Sequence, residues 1–397
     1  MSEYQVLQVS LSSDDAEFIS KHLGHDIEIV RSFHTDEYLI NPKQYVGVVQ
    51  LPSGRILESR PKAAVENLFY MLAISVGAQW KPYQAQLDQI SDVYELIASL
   101  FADEAEHLIL DGLHRTYQVT EANLETVRGR IDFNENLRLN LVMRQRNFCR
   151  FDELTLDIPE NQIIGQTARL LNLWNFRDAD LRFRLHRLSQ RLSELTPTYF
   201  TSEVVDQFTY GRMTEKYRPI HRLCRLLLDG ASLSEHAGAN LAPAFLIDMN
   251  VLFERFISQV LTETVGQGFM VKEQLKLYLD ETKKYDMYPD IGLKDRRNNI
   301  VVVADCKYKK LAESGSGNAD MYQVLSYCTA SRSNQGVLIY PLHEVNPLAP
   351  TRIENTNTVI RQLTIDLSGD TDELIVACGK LSQQIADLAT ESVEAAA

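Results

Sequence analysis

A chain of 397 residues, 45% apolar and 24% charged, has room for two or three domains with sizeable cores, which excludes a disordered tail protein or a disulfide miniprotein. Forty Lys and Arg against fifty-four Asp and Glu leave a net charge of -14, a poor basis for strong unaided nucleic-acid binding, so any such role must be local or borrowed from a partner. No stretch approaches ~20 unbroken apolar residues and no basic patch precedes an apolar run near Met1, so neither a membrane span nor a signal peptide is expected; five scattered cysteines without zinc-ligand spacing read as reduced thiols of a cytoplasmic protein.

In chain order, the first seventy residues read as β-rich, with short runs at Ile27–Val30 and Tyr45–Gln50 and a turn at Pro52-Ser53-Gly54 before Ile56. Leu68–Val76 reads as an apolar helix. Helices are expected from Gln86 to Leu113, where Asp92, Glu95, Asp103, Glu104 and Glu106 form either a solvated surface or a docking face. A basic segment follows, with Arg128-Gly129-Arg130 ahead of Ile131 and with Arg138, Arg144, Arg146 and Arg150 downstream. Gly129 suits a special turn or a close backbone approach. Asn161–Trp174 and Leu181–Leu195 read as helices, the second bearing Arg182, Arg184, Arg187 and Arg191. That side is an exposed basic face, a phosphate-tracking surface or a contact for an acidic partner.

From Leu241 the pattern changes. Ala244–Val265 reads as one long amphipathic helix with the stripe Met249, Phe253, Phe256 and Val260. Strand-like runs at Leu275–Leu279, Met287–Leu293 and Ile300–Tyr308 follow, then helix Asp320–Thr329, strand Gly336–Tyr340 and a closing helix over Leu374–Leu388. The expectation is an α+β multidomain chain: a β-rich and helical segment over 1–120, a basic, mostly helical linking segment over 121–240, and an α/β unit with a mixed sheet over 241–397.

The candidate chemistry lies in that last unit. Asp290 follows Pro289 at a strand start, and Asp305 and Lys307 share one face of a later strand because side chains alternate. Two such carboxylates suit Mg²⁺, which prefers hard oxygen ligands, lowers the pKa of bound water and stabilises charge on a phosphoryl oxygen. Lys307 would orient the water or offset developing negative charge. Glu254, at the edge of the helix stripe, would complete the metal shell through water, or is a surface carboxylate packed on its stem. Asp320, Gln323 and Tyr327 share a helical face; Gln323 would touch a DNA phosphate or position the lysine, or is ordinary helix polarity. Asp followed by Asp-x-Lys is weak evidence by itself, whereas the whole order from Glu254 to Gln323 is far more specific. There is no Gly-x-x-x-x-Gly-Lys-Ser/Thr loop, His-Glu-x-x-His motif or Gly-x-Ser-x-Gly elbow.

That order resembles the PD-(D/E)xK nuclease superfamily, and the wider sequence resembles the McrC family of McrBC modified-cytosine restriction systems. The resemblance rests on Val127-Arg128-Gly129-Arg130-Ile131, Asn147–Glu153, Met249–Glu254, Tyr288-Pro289-Asp290-Ile291, Ala304-Asp305-Cys306-Lys307-Tyr308 and Asp320–Tyr327, with Arg60-Pro61-Lys62 standing where the family has apolar-Pro-Lys. It implies a PD-(D/E)xK nuclease fold and a metal-dependent endodeoxyribonuclease subunit. Asp290, Asp305 and Lys307 would be catalytic, with Glu254 and Gln323 as supports, and Asp290, Asp305 and Glu254 would hold Mg²⁺. It further implies an McrB-like AAA+ GTPase hexamer as partner and modified double-stranded DNA as substrate. Arg128 and Arg130 are the expected partner or DNA contacts. The competing readings are a non-catalytic subunit that activates such a motor and a stand-alone nuclease.

Overall fold

The structure is a computed structural model that describes every residue except 33–36, 79, 81–92, 143–144, 237–244, 267, 310–316, 343–347 and 396–397. Gln86–Asp92, Arg144 and Ala244 therefore lie outside the described residues. The chain forms two compact units, one of Met1–Leu96 with Gly230–Ala397 and the other of Ile97–Asp229. Residues 1–96 of the segment expected over 1–120 thus share a unit with 241–397, while 97–120 belong with most of the linking segment. No helix among the described residues is long and apolar enough to cross a membrane.

The N-terminal part of the first unit runs β1 (Leu7–Val9), α1 (Ser13–His22), β2 (Glu28–Arg31), β3 (Tyr38–Asn41), β4 (Tyr45–Gln50), β5 (Ile56–Ser59) and α2 (Val65–Val76). Ser12 caps α1 by accepting from the Asp15 N–H at 3.1 Å, and buried Asp15 accepts from the Ser53 N–H at 3.0 Å. That second bond fixes the β4–β5 turn, where Gly54 adopts φ 84°. Phe18, Ile19, Leu23, Ile40, Val49 and Leu57 form the local core between α1 and the strands. Helix α2 is apolar nearly all round and accordingly buried; Gly77 ends it in the left-handed conformation.

The second unit contains most of α3 (Val93–Asp111), then β6 (Thr116–Leu124), β7 (Arg130–Ile131), α4 (Phe133–Asn140), β8 (Asn147–Thr155), α5 (Pro159–Leu173), α6 (Ala179–Arg191) and the start of α7 (Arg218–His236). β6, β8 and β7 make an antiparallel sheet in that order. Gly129 adopts φ 67°, and a Cβ there would lie 2.5 Å from the Arg150 carbonyl oxygen, so the expected close approach is real. Asp132 caps α4. The basic face of α6 and the acidic face of α3 meet within this unit: Arg184 lies 2.6 Å from Asp103 and 2.9 Å from Glu106, and Arg187 lies 2.8 Å from Glu106. The acidic partner for those arginines is therefore this chain itself. Buried His221 takes the Tyr210 hydroxyl on Nδ1 at 3.0 Å and faces the Glu160 carbonyl with Nε2 at 2.9 Å. A carbonyl only accepts, so Nε2 carries the proton.

The chain then returns to the first unit with β9 (Phe245–Asp248), α8 (Met249–Thr264), β10 (Met270–Glu273), β11 (Leu277–Tyr278), β12 (Asp286–Met287), β13 (Ile291–Lys294), β14 (Ile300–Cys306), α9 (Asn318–Ser331), β15 (Gln335–Pro341), β16 (Thr351–Arg352), β17 (Val359–Ile365) and α10 (Thr371–Ala395). Six strands form a mixed sheet in the order β10-β13-β14-β15-β17-β16, with β14, β15 and β17 parallel. The α+β architecture is the expected one: β-rich start, helical middle, mixed C-terminal sheet. Several element ends shift by a few residues, and three expected elements differ more. The expected Ala244–Val265 helix begins at Met249, because Phe245–Asp248 is a strand paired with β4 and the Asp248 carboxylate caps α8 from outside, accepting from Asn250 N at 2.8 Å. The run Met287–Leu293 splits at Pro289, which has no N–H for a ladder. Only Leu277–Tyr278 of Leu275–Leu279 is strand.

The β4–β9 pairing brings Gly47 opposite Leu246, and a Cβ at Gly47 would overlap the Phe245 carbonyl oxygen. Gly47→Ala should therefore destabilise the first unit by about 1–3 kcal/mol, read as a drop in unfolding temperature. A second outcome concerns pH. Burial pushes His221 down to about 4 from 6.5. Between those values the unfolded chain binds the proton and the folded one does not, so stability falls as pH falls. His221→Gln should remove about 2 kcal/mol of the stability loss between about pH 7 and pH 5, measured by denaturant unfolding.

Candidate active site

Asp305 is the last residue but one of β14, between antiparallel β13 and parallel β15, and is 1% exposed. Asp290 stands one residue before β13, whose Ile291 pairs with Ala304, so the two aspartates sit across from each other at the same end of two strands. Asp290 Oδ2 accepts from the Cys306 N–H at 2.7 Å. Its backbone is held as well: Gln274 N donates to the Asp290 carbonyl at 2.9 Å and Leu275 N to the Pro289 carbonyl at 3.2 Å. Lys307 leaves the strand with its N–H on the Ile339 carbonyl at 2.9 Å and its Nζ 2.6 Å from Asp305 Oδ2. The shared face read from strand alternation is thus occupied by an ion pair. Among the described residues this buried oxygen is met by the Lys307 charge and by no other side chain.

The electrostatics follow from burial. Desolvation pushes Asp290 up, and the nearby charges of Asp305 and Glu254 push it further. Asp305 is also raised by burial, with Lys307 opposing. For Lys307 burial pulls the pKa down, but the bond to Asp305 and the charges of Asp305, Asp290 and Asp320 outweigh it, and the net shift is upward. Glu254 on α8 is raised by burial first; its Oε1 accepts from Gln274 Nε2 at 3.2 Å, and it feels Asp305. It borders the site and is not a freely solvated carboxylate.

Gln323 and Tyr327 on α9 also reach this region. Gln323 Nε2 donates to the Tyr327 hydroxyl at 2.7 Å, and that hydroxyl lies 3.4 Å from the Tyr288 carbonyl, beside Pro289. Asp320 on the same helix face is buried, paired with Lys309 at 2.7 Å and bonded by the Tyr340 hydroxyl at 2.9 Å. Sequence reasoning singled out neither Lys309 nor Tyr340. Lys309 stands two beyond Lys307 in the same alternation, which was a usable signal; Tyr340 sits in a fully buried strand and gave none. It also missed Glu3, buried against the Tyr308 hydroxyl at 2.9 Å and the Lys62 N–H at 2.7 Å. Residues separated by 305 positions cannot announce such a contact.

Arg128 and Arg130 belong to the second unit. Arg128 lies 3.0 Å from Glu153 and 4.2 Å over the Phe151 ring, whereas Arg130 is exposed at the edge of β7, opposite Arg150.

Among the described residues no group of three or more His, Cys, Asp or Glu side chains forms a ready-made cation cage. The chemistry of the donor set nonetheless suits a hard cation. Asp290 and Glu254 are raised first by burial and further by neighbouring negative charge, and the buried Asp305 Oδ2 is met by Lys307 alone among the described residues.

The fold and site define a mixed-sheet α/β unit with paired aspartates and a lysine where its central strands end. The family model of McrBC 5-methylcytosine restriction system components matches residues 40–341, and the chain belongs to that family. It is 19% identical over 304 residues to the type IV methyl-directed restriction enzyme EcoKMcrBC of Escherichia coli (strain K12), covering 71% of this chain and 87% of that protein. A solved Thermococcus gammatolerans assembly of McrB AAA+ hexamers with bound McrC contains a chain of similar fold, with TM-score 0.57 and 19% identity, covering 97% of this chain and 99% of that one. A second Thermococcus gammatolerans McrBC structure aligns at TM-score 0.44 and 20% identity over 67% of this chain and 88% of its own.

Proposed function

We propose that this chain is the nuclease subunit of an McrBC-like, modification-dependent restriction system. It would cleave DNA phosphodiesters with Mg²⁺ and stimulate an AAA+ GTPase partner. The observation that carries the reading is the meeting of Asp290, Asp305 and Lys307 at one end of β13 and β14. The partner is argued from two further points. The chain has no phosphate-binding Gly-Lys-Ser/Thr loop and a net charge of -14, and the Thermococcus gammatolerans chain of similar fold belongs to an assembly of McrB AAA+ hexamers with bound McrC.

Asp290 and Asp305 would hold the cation, with Glu254 reaching it through water. A Mg²⁺ held by these residues would supply acidification of water and neutralisation of developing negative charge. Lys307 supplies a fixed positive charge toward the phosphoryl oxygen on which negative charge grows. Asp305 holds that ammonium in place, and Asp290 is oriented by the Cys306 N–H. Gln323 and Tyr327 brace the Tyr288–Pro289 segment. Hydrolysis is a direct displacement: the water oxygen bonds to phosphorus, the opposite P–O ester bond breaks, the water proton passes to solvent and the leaving oxygen takes one up.

Arg128 and Arg130 are both exposed; Arg128 is tied to Glu153 and Phe151, which leaves Arg130 the less constrained contact residue. Arg128→Ala and Arg130→Ala should both shift the titration of partner GTPase stimulation to higher concentration, with cleavage chemistry in the assembled complex less affected. Normal titration curves for both would remove this role.

The decisive comparison uses Asp305→Asn and Lys307→Ala in three readouts: thermal unfolding, stimulation of partner GTPase, and DNA cleavage with Mg²⁺. Lys307→Ala should slow cleavage by about 10²–10³. Asp305→Asn should lose cleavage and metal affinity, while both variants keep GTPase stimulation. If the pair were only a structural ion pair in a non-catalytic subunit, its loss would lower the unfolding temperature in both variants. Undiminished cleavage by folded Asp305→Asn would overturn the assignment.

A further inference from the structure

At the opposite end of β14 from Asp305, the first unit has a cavity of about 1130 Å³ lined by Ile300 and Val301 and by the turns at Asp295–Asn299, Ser331–Asn334 and Asn357–Thr358. At ~3.3 Å per strand residue it lies about 15 Å along the strand from Asp305, so it is a separate feature. Three arginines, Arg296, Arg297 and Arg332, stand on its rim and all are exposed. The backbone accounts for their placement. Asp295 Oδ1 accepts from Arg297 N and Asn299 N, both at 2.8 Å, which closes the β13–β14 turn and leaves the two arginine side chains outside it. Arg332 ends α9 in the left-handed conformation at φ 60°.

What sets this rim apart is the lack of neutralising partners. Several arginines elsewhere among the described residues face carboxylates: Arg184 and Arg187 on Asp103 and Glu106, Arg150 on Glu121, Arg225 on Asp206, Arg361 on Glu391. Among the described residues Asp295 is the sole carboxylate lining this cavity, and its oxygens serve the turn, accepting also from Asn299 Nδ2 at 3.1 Å. Arg297 feels its charge, but neither Arg296 nor Arg332 is within ion-pair reach of a carboxylate there. The Asn298 and Asn357 amides also line the cavity, whereas the Ser331 hydroxyl is held by the Tyr327 carbonyl at 2.7 Å. Guanidinium forks with neutral donors beside them suit phosphate oxygens. A rim of this kind in a chain of net charge -14 is a local electropositive site of the sort that such a surface otherwise denies.

We propose that this cavity binds the phosphate of a nucleotide, carried either by a single nucleic-acid strand or by a free mononucleotide. The inference goes beyond the nuclease reading and stands whether or not Asp305 takes part in cleavage.

The test is fluorescence anisotropy of the full-length protein with a fluorescein-labelled oligothymidylate in low salt and EDTA, with GMP as competitor. The variant pairs Arg296→Ala with Arg332→Gly, since glycine suits the left-handed position; Arg296→Glu is a second, single variant, and circular dichroism checks folding. The double variant should bind about tenfold or more weakly, and its log–log salt slope should be shallower by about 1.4, at roughly 0.7 per phosphate neutralised. Arg212→Ala, at an exposed arginine of the second unit, should bind as the parent does. Displacement of the strand by GMP marks a mononucleotide site; absence of displacement marks a site for a strand. Unchanged affinity in both arginine variants, or no binding of either probe by the parent, would overturn the proposal.

Discussion

The structure turns on a carboxylate kept from water. Asp305 lies at the centre of a sheet whose middle strands are buried on both faces, and an ion in such a place costs several kcal/mol unless it is met by opposite charge. Lys307 meets it, two residues on and on the same face, and strand alternation alone guarantees that proximity. Asp290 is brought alongside by antiparallel pairing and held by a backbone N–H of the same strand. The sheet order, the break at Pro289 and the exit of β14 all serve one arrangement of two acids and a base.

The rest of the charge is distributed by pairing. In the second unit, arginines that look in sequence like a surface for phosphates are largely occupied by carboxylates of the same unit. Arg128, Arg138, Arg146 and Arg150 have Glu153, Glu135, Glu125 and Glu121, and Arg184 and Arg187 of α6 have Asp103 and Glu106 of α3. Such pairs at an exposed surface contribute little stability each, but they cancel the long-range field that would draw a polyanion. A run of arginines therefore says less about binding than whether acids stand three to five ångströms away.

Much of this was legible. Strand β4 is the run Tyr45–Gln50 itself, the α8 stripe Met249, Phe253, Phe256 and Val260 is buried, and the order of Glu254, Asp290, Asp305, Lys307 and Gln323 marked residues that the fold gathers or lines up nearby. Local periodicity and alternation determine those features. What failed depends on partners distant in sequence. Phe245–Asp248 is apolar enough to extend a helix, and only β4, about two hundred positions earlier, makes it a strand. β17 is unremarkable until it is placed beside β15. Glu3 became visible only through Tyr308, and Asp320 acquired its role from Lys309 and Tyr340.

The chain order of the two units has a consequence for synthesis. Ile97–Asp229 is a continuous stretch with its own sheet and core, whereas the first unit is made from both ends of the chain. As the polypeptide leaves the ribosome, the second unit has all its residues while the mixed sheet still lacks every strand. β4 must wait with an open edge until β9 appears, and Glu3 must wait for Tyr308. The acids and lysine are thus assembled near the end of translation. A truncated nascent chain would carry the second unit whole but would lack the strands that bring Asp290, Asp305 and Lys307 together.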